Sequence, residues 1–160
     1  MIKKKRTTIN LGRYYVDDEL SVRFTPSVID KILEVAAIVI GLVAFGFAYY
    51  LCYKTEEDFI LKWLFPLVIP LSVFLLYRSG YASPQKISFP VRITKQNLGI
   101  QYLLAVRLVR VLNILLTTMM LFAALTLLFD NEKMAFLNVV FIILIIGSLI
   151  THYILAYLHR

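Results

Sequence analysis

Few side chains in this sequence could carry out chemistry, and His152 is the clearest candidate. It is an ionisable residue inside a long apolar run, where a polar group is costly and therefore marks a candidate functional site. One hypothesis is a proton-carrying residue in a polar pathway. The alternative, which we favour, is a neutral imidazole near the headgroups that bonds to a threonine such as Thr117 or Thr118. No acid lies close to either histidine in the sequence, so no metal-ligand cluster is predicted.

The remaining residue types do not favour an enzyme. Catalysis would need an activated nucleophile, an acid–base pair or a metal, and the spacing of the polar residues provides none of these. A glycine-rich phosphate loop is also missing from the sequence. The single cysteine, Cys52, cannot form an intramolecular disulfide, and we interpret it as a small apolar residue. The sequence therefore predicts a non-enzymatic protein without a cofactor or a metal site.

Basic residues without any acid occupy the stretch 89–113, which lies between two apolar halves. We interpret it as a cytoplasmic elbow that leads into a membrane helix. Thr94 would cap this helix, which continues for roughly 35 residues to Phe129. Because that length exceeds the ~30 Å hydrocarbon layer, the first turns should lie outside it, with the arginines extended to the headgroups. The basic residues of this predicted interface are Arg92, Lys95, Arg107 and Arg110.

An acid near the first apolar run, Glu34, offers these arginines a partner. It could form an ion pair with Arg107 or Arg110, or it could remain a solvated acid in the first turns of a helix. Two caps compete at the start of that helix. One is Thr25 before a proline, and the other is a capping box that begins at Ser27.

The high hydrophobic content of the sequence indicates a membrane protein. Of the 160 residues, 60% are hydrophobic, against about 45–50% in a soluble domain, and they form runs long enough to cross a bilayer. We predict an all-α integral membrane protein, a four-transmembrane-helix bundle, in which residues 26–160 form one domain after a cytoplasmic segment at 1–25. Within that segment, residues 13–24 could form a short extended piece or an interfacial segment, and we interpret them as irregular because the signal is weak. The spans are predicted at about 35–53, 60–77, 111–129 and 134–158, with a cytoplasmic loop and interfacial helix at about 78–110.

The distribution of positive charge predicts the orientation. Residues 1–31 hold seven Lys or Arg and residues 78–110 hold six, whereas the other two loops hold few. Because such an excess marks the cytoplasmic side, both termini are predicted to be cytoplasmic (N-in/C-in). The net charge of +7 is then the usual cytoplasmic excess, attracted to anionic headgroups, and no nucleic-acid partner is expected.

Small residues and prolines mark two of the predicted helices. Four small residues form one stripe of the first helix, which favours close packing within the chain over a dimer face. Two prolines one turn apart interrupt the second helix, and we favour a static kink over a hinge or an ion site. The stripe consists of Ala37, Gly41, Ala44 and Ala48, and the prolines are Pro66 and Pro70.

The central loop and the helix after it carry a recognisable pattern, which consists of Pro90, Val91, Ile93, Thr94, Asn97, Gln101, Tyr102, Leu104, Ala105, Arg107, Leu108, Arg110 and Leu112. This pattern resembles that of the SdpI-like small bacterial membrane proteins, and the start of the first helix, Ile29 to Glu34, is similar too. The outer-loop signature of that family, near HFNxxGxPD, is missing from this sequence.

The resemblance implies a multi-pass protein of a bacterial cytoplasmic membrane, of the immunity or signalling type, and no catalytic residue. Our leading hypothesis is thus a binding protein that acts through helix contacts with another membrane protein or with itself. The alternatives are a small transporter or channel subunit, with a polar pathway at the proline kink and His152, and an accessory subunit of a larger complex.

Overall fold

The residues that the structure describes form four long helices that follow a small sheet. The structure is a computed structural model of the full sequence. The residues that it describes are 7–9, 12–16, 22–54, 60–94, 96–130 and 132–160.

Three short strands lie in the described part of the amino-terminal segment. β1 (Thr7–Ile9), β2 (Gly12–Val16) and β3 (Val22–Thr25) pair antiparallel in the order β1-β2-β3. Tyr14 is opposite Thr7 in β1 and Phe24 in β3, and both β2 and β3 lie against the third helix. The interpretation of 13–24 as irregular was wrong, and the extended alternative is the one that the strands match. These runs, three to five residues long, are too short for a period to show, although Tyr, Val and Thr favour strands.

The helical prediction for the rest of the chain is confirmed. Three of the four helices are long and apolar enough to cross a membrane, whereas the second counts only as a shorter apolar helix, over Leu64–Ser79. The helices are α1 (Val28–Lys54), α2 (Ile60–Ser79), α3 (Leu98–Phe129) and α4 (Glu132–Leu158), with a 3-10 turn at Pro84–Lys86.

The third helix is the centre of the bundle. α3 packs against α1, α2 and α4, whereas α4 has an extensive interface with α3 alone. The interior around it is built from small side chains, since Ala44 and Ala48 of α1 meet Ile69 and Ala124 there, all of them fully buried. Small residues let the helix backbones approach closely, which is how helices associate in lipid.

The loop after α2 covers the first turns of α3. Thr94 makes the reciprocal bonds of a capping box in the turn before α3, because its N–H donates to Asn97 Oδ1 (2.7 Å) and its hydroxyl oxygen accepts from the Asn97 N–H (3.3 Å). The cap residue of α3 itself is Asn97, three residues after the predicted Thr94. Lys95 lies outside the described residues. The Tyr102 hydroxyl donates to the Ala82 carbonyl (2.9 Å), which ties the loop to α3. An apolar cluster also joins the loop to α3. It consists of Leu98, Tyr102, Leu103 and Val106 of α3, with Ile87, Phe89, Ile93 and Ile100 around them.

Candidate functional site

The site begins at the start of α1, where a capping box fixes a buried acid. Ser27 is the cap, and Asp30 is its partner three residues later. The Ser27 N–H and hydroxyl both donate to Asp30 Oδ2 (2.8 and 2.7 Å), and the Asp30 N–H donates to Ser27 Oγ (3.2 Å). Of the two caps that competed in the sequence, the structure forms this one. Asp30 is 0% exposed, so its charge requires a partner.

Arg107 of α3 supplies that partner. Its Nε lies 3.3 Å from Asp30 Oδ1, and its terminal nitrogen donates to Ser27 Oγ (3.3 Å) and Asp30 Oδ2 (3.5 Å). The side chains are 14% and 0% exposed, so this ion pair lies between the helices and not on the surface. It joins the first turn of α1 to the third turn of α3.

A second, shorter ion pair lies one turn further along both helices. Arg110 Nε is 2.7 Å from Glu34 Oε1, and these side chains are 3% and 12% exposed. The sequence predicted either Arg107 or Arg110 as a possible partner of Glu34, and the structure confirms Arg110. The prediction that both arginines extend to the headgroups is wrong, because both turn inward to α1 carboxylates that neutralise them. Arg92 of the same predicted interface is exposed.

Tyr81, in the loop after α2, contacts both residues of this second ion pair. Its hydroxyl donates to Glu34 Oε2 (2.8 Å), and the Arg110 guanidinium lies 5.5 Å from the centre of its ring. Partial burial, the hydrogen bond to Glu34 and the charge of that carboxylate raise the pKa of Tyr81 to about 12. The phenol therefore stays protonated at neutral pH and acts as a donor. We call Asp30, Glu34, Tyr81, Arg107 and Arg110 the charge layer.

Polar residues continue from the charge layer into the bundle along α3. Asn113 and Thr117 follow Arg110 at spacings of three and four, and they are 4% and 1% exposed. The Thr117 hydroxyl donates to the Asn113 carbonyl (2.8 Å), so it is satisfied within its own helix. Beyond Thr117, the interior contains the apolar cluster around Ala124. The polar row thus ends inside the bundle and does not cross it.

The stripe of small residues lies inside the chain. Ala37, Ala44 and Ala48 are fully buried, and Gly41 is buried between α2 and α3. A Cβ on Gly41 would lie 2.9 Å from Val73 Cγ2 and 3.8 Å from Thr117 Cγ2. The structure thus uses this face of α1 for packing within the chain.

The candidate residues of a polar pathway lie on helices that share no extensive interface. Pro66 and Pro70 are inside α2, and His152 is on α4. The two threonines proposed as its partners, Thr117 and Thr118, both donate their hydroxyls to carbonyls of α3. The structure therefore does not bring the prolines and His152 together.

The position of His152 along the bundle follows from the antiparallel packing of α3 and α4. The Gln101 amide donates to the Ala156 carbonyl (2.9 Å), so these two residues are level with one another. His152 comes four residues before Ala156, and Ala105 comes four residues after Gln101. Because the two helices are antiparallel, His152 is level with about Ala105. It thus lies near the charge layer, toward the end of the bundle that holds the loop.

The charge layer is suited to holding helices together more than to reacting with a substrate. It contains two acids and two arginines, and each carboxylate already accepts from an arginine. Among the described residues, no group of three or more His, Cys, Asp or Glu could hold a metal ion. No family model, curated protein or solved structure matches this chain.

Sequence reasoning identified Asp30 only as the capping-box partner of Ser27 and missed its ion pair with Arg107, and it missed Tyr81 altogether. The signal for Asp30 was its spacing, since Asp30 and Glu34 share one face of α1 and the two arginines share one face of α3. Two acids four residues apart and two bases three residues apart, each about one helical turn, indicate two parallel pairs. The loop tyrosine had no comparable signal, because only the folded loop brings it to Glu34.

Proposed function

We propose that this chain is an integral membrane protein with four spans and both termini in the cytoplasm. The distances between polar or aromatic anchors support four spans, including one at α2. At 1.5 Å per residue, each helix has an anchored length of about 24–29 Å, close to the ~30 Å hydrocarbon layer. The anchors are Glu34 and Tyr50 in α1, Arg110 and Phe129 in α3, and Phe136 and Tyr153 in α4; in α2 the length is taken from its first residue, Ile60, to Tyr77.

The orientation rests on the charges at one end of the bundle. Lys31, Arg78, Lys86, Arg92 and Arg160 are all exposed at the end that contains the loop. The acids of α1 at this end are inside the charge layer. An excess of basic residues favours the cytoplasmic side, so we place this end there.

Within this membrane placement, the protein acts by binding another membrane protein. The observation that carries this proposal is the open face of α4. Among its described side chains only Ala156 is buried, and Gly147 and Thr151 lie one turn apart among exposed residues. A Cβ on Gly147 would meet no atom within 4 Å. Such a pair of small residues allows a second helix to approach closely.

The resemblance to SdpI-like proteins supports a more specific form of this proposal. A binding protein of the immunity or signalling type in a bacterial cytoplasmic membrane needs a partner inside the bilayer and no catalytic group. The charge layer then serves to hold α1 and α3 in register, and α4 remains available for the partner.

A photo-crosslinking experiment in native membranes tests the α4 interface. A crosslinking amino acid at Ile143, which is 63% exposed on α4, should give a discrete protein adduct. The same group at Leu67, which is 61% exposed on α2, should give only lipid adducts. Gly147→Leu should abolish the adduct at Ile143.

The matched control for this substitution is Gly46→Leu on α1, where a Cβ also meets nothing within 4 Å. This variant should leave the adduct unchanged. Equal protein adducts at Ile143 and Leu67, or an adduct that survives Gly147→Leu, would contradict the α4 interface.

Transport is the second candidate, favoured by the polar row from Arg110 to Thr117. The row ends inside the bundle at Thr117, so a pathway would need a further opening. Purified protein in liposomes should therefore leave an imposed potassium gradient intact. Dissipation of the gradient would favour the channel subunit instead.

A further inference from the structure

A groove runs along the outside of the bundle between α1 and α2. Its volume is about 340 Å³, and its walls are almost entirely apolar. Gly41 forms part of its lining, next to Val73 of α2, so the two helices are close at this point. The walls include Ile38, Leu42 and Phe45 from α1 and Pro70, Phe74 and Tyr77 from α2.

The groove points toward the charged end of the bundle. Along α1, Lys31 precedes Ile38 by seven residues, so it lies on the same stripe two turns nearer that end. Along α2, Arg78 follows Phe74 by four residues and again continues the same stripe. Each wall of the groove is therefore extended by an exposed cation.

Nearby acids do not neutralise these cations. Among the residues that the structure describes, the two ion pairs are those of the charge layer, and neither includes Lys31 or Arg78. Glu34, which is close to this end of the groove, is held by Arg110 and by the Tyr81 hydroxyl. The mouth of the groove is consequently positive, while its walls remain apolar.

We propose that this groove binds one phospholipid with an anionic headgroup from the cytoplasmic leaflet. An acyl chain lies between α1 and α2, and the phosphate lies at Lys31 and Arg78. The proposal goes beyond the α4 interface and rests only on the membrane placement of the proposed function.

Selectivity for anionic lipid comes from the mouth and not from the walls. Inside a bilayer, lipid tails are as apolar as the groove, so the walls provide shape but no hydrophobic preference for one lipid class. The cations attract an anionic headgroup, and each one contributes about fivefold in affinity near the membrane surface. A zwitterionic lipid would fit the groove without this gain.

Lipid retention measured by native mass spectrometry tests the site. The full chain is reconstituted in nanodiscs with equal parts of phosphatidylglycerol and phosphatidylcholine and is then released into detergent. The wild type should retain one phosphatidylglycerol in preference to phosphatidylcholine. For Lys31→Ala/Arg78→Ala, the preference should fall about fivefold for each charge removed. Leu42→Trp, which fills the groove, should lower the retention of both lipids.

The control is Lys86→Ala/Arg92→Ala, which removes two exposed charges from the same end but away from the groove. It should leave the preference unchanged, and Lys31→Arg/Arg78→Lys should retain it. An equal loss in the control would show a diffuse positive surface and overturn the site, as would the absence of any preference in the wild type. Release of the chain from membranes by alkaline carbonate would instead contradict the membrane placement itself.

Discussion

At the scale of single residues, burial changes what a charged side chain does. Arg107 and Arg110 are among the basic residues from which the sequence predicts a cytoplasmic end, but their side chains are largely buried, with 14% and 3% exposed. Desolvation of an arginine is costly unless an acid compensates it, and Asp30 and Glu34 lie opposite to do so. The exposed positive charge is therefore carried by other residues, such as Arg92.

The Arg110–Glu34 pair leads to a prediction about stability. Arg110→Met should lower the free energy of unfolding by roughly 3–5 kcal/mol, because it leaves a carboxylate without its cation. Glu34→Gln should be similarly costly, whereas the double variant should recover most of the loss. The measurement is unfolding in detergent micelles, followed by circular dichroism.

Arg92→Met is the matched control for this cycle. It removes an exposed arginine of the same end, and its free energy of unfolding should stay within about 0.5 kcal/mol of the wild type. Additive losses in the double variant would show that Arg110 and Glu34 act independently.

At the scale of helices, periodicity and composition were sufficient to predict type and length. All four helices lie where the apolar runs place them, because helices in lipid must satisfy their own backbone groups. The small stripe of α1 and the capping-box bonds of Thr94 could also be recognised from spacing. The pairing of α1 with α3 was indicated only by the possible ion pair of Glu34 with an arginine, since contacts between helices depend on how each rotates about its axis. The short strands could not be predicted for a different reason, because each has too few residues for a pattern to show.

The close approach of α1 and α2 at Gly41 gives the second prediction. Gly41→Ala should destabilise the protein by about 1–3 kcal/mol, because the new methyl group would lie 2.9 Å from Val73 Cγ2. Gly41→Ala/Val73→Ala should recover part of this loss. Thermal unfolding in the same micelles measures both variants.

Gly46→Ala supplies the comparison on the same helix. Its Cβ would meet no atom within 4 Å, so alanine should be neutral there or should stabilise α1 by up to about 1 kcal/mol. If both substitutions had the same effect, helix propensity and not packing against α2 would account for Gly41.

At the scale of the whole molecule, the bundle has two unlike ends. One end holds the charge layer, the covering loop and the exposed cations, and a hydrophobic interior separates it from the carboxyl end of α1 at Lys54. A protein built in this way is asymmetric along the membrane normal. The basic end should remain in the cytoplasm, since moving its cations across the membrane would oppose the usual retention of positive charge.

Cysteine labelling of intact cells tests this orientation. In a Cys52→Ser background, a membrane-impermeant maleimide should label Tyr53→Cys, whose native side chain is 86% exposed near the end of α1. Arg92→Cys, at the opposite end, should react only after the cells are permeabilised, because positive charge keeps that loop inside. Labelling of Arg92→Cys in intact cells, with Tyr53→Cys protected, would reverse the orientation and move the lipid site to the outer leaflet. Labelling of both would show that the chain inserts in two directions, and the charge difference between its ends would then be too small to fix one.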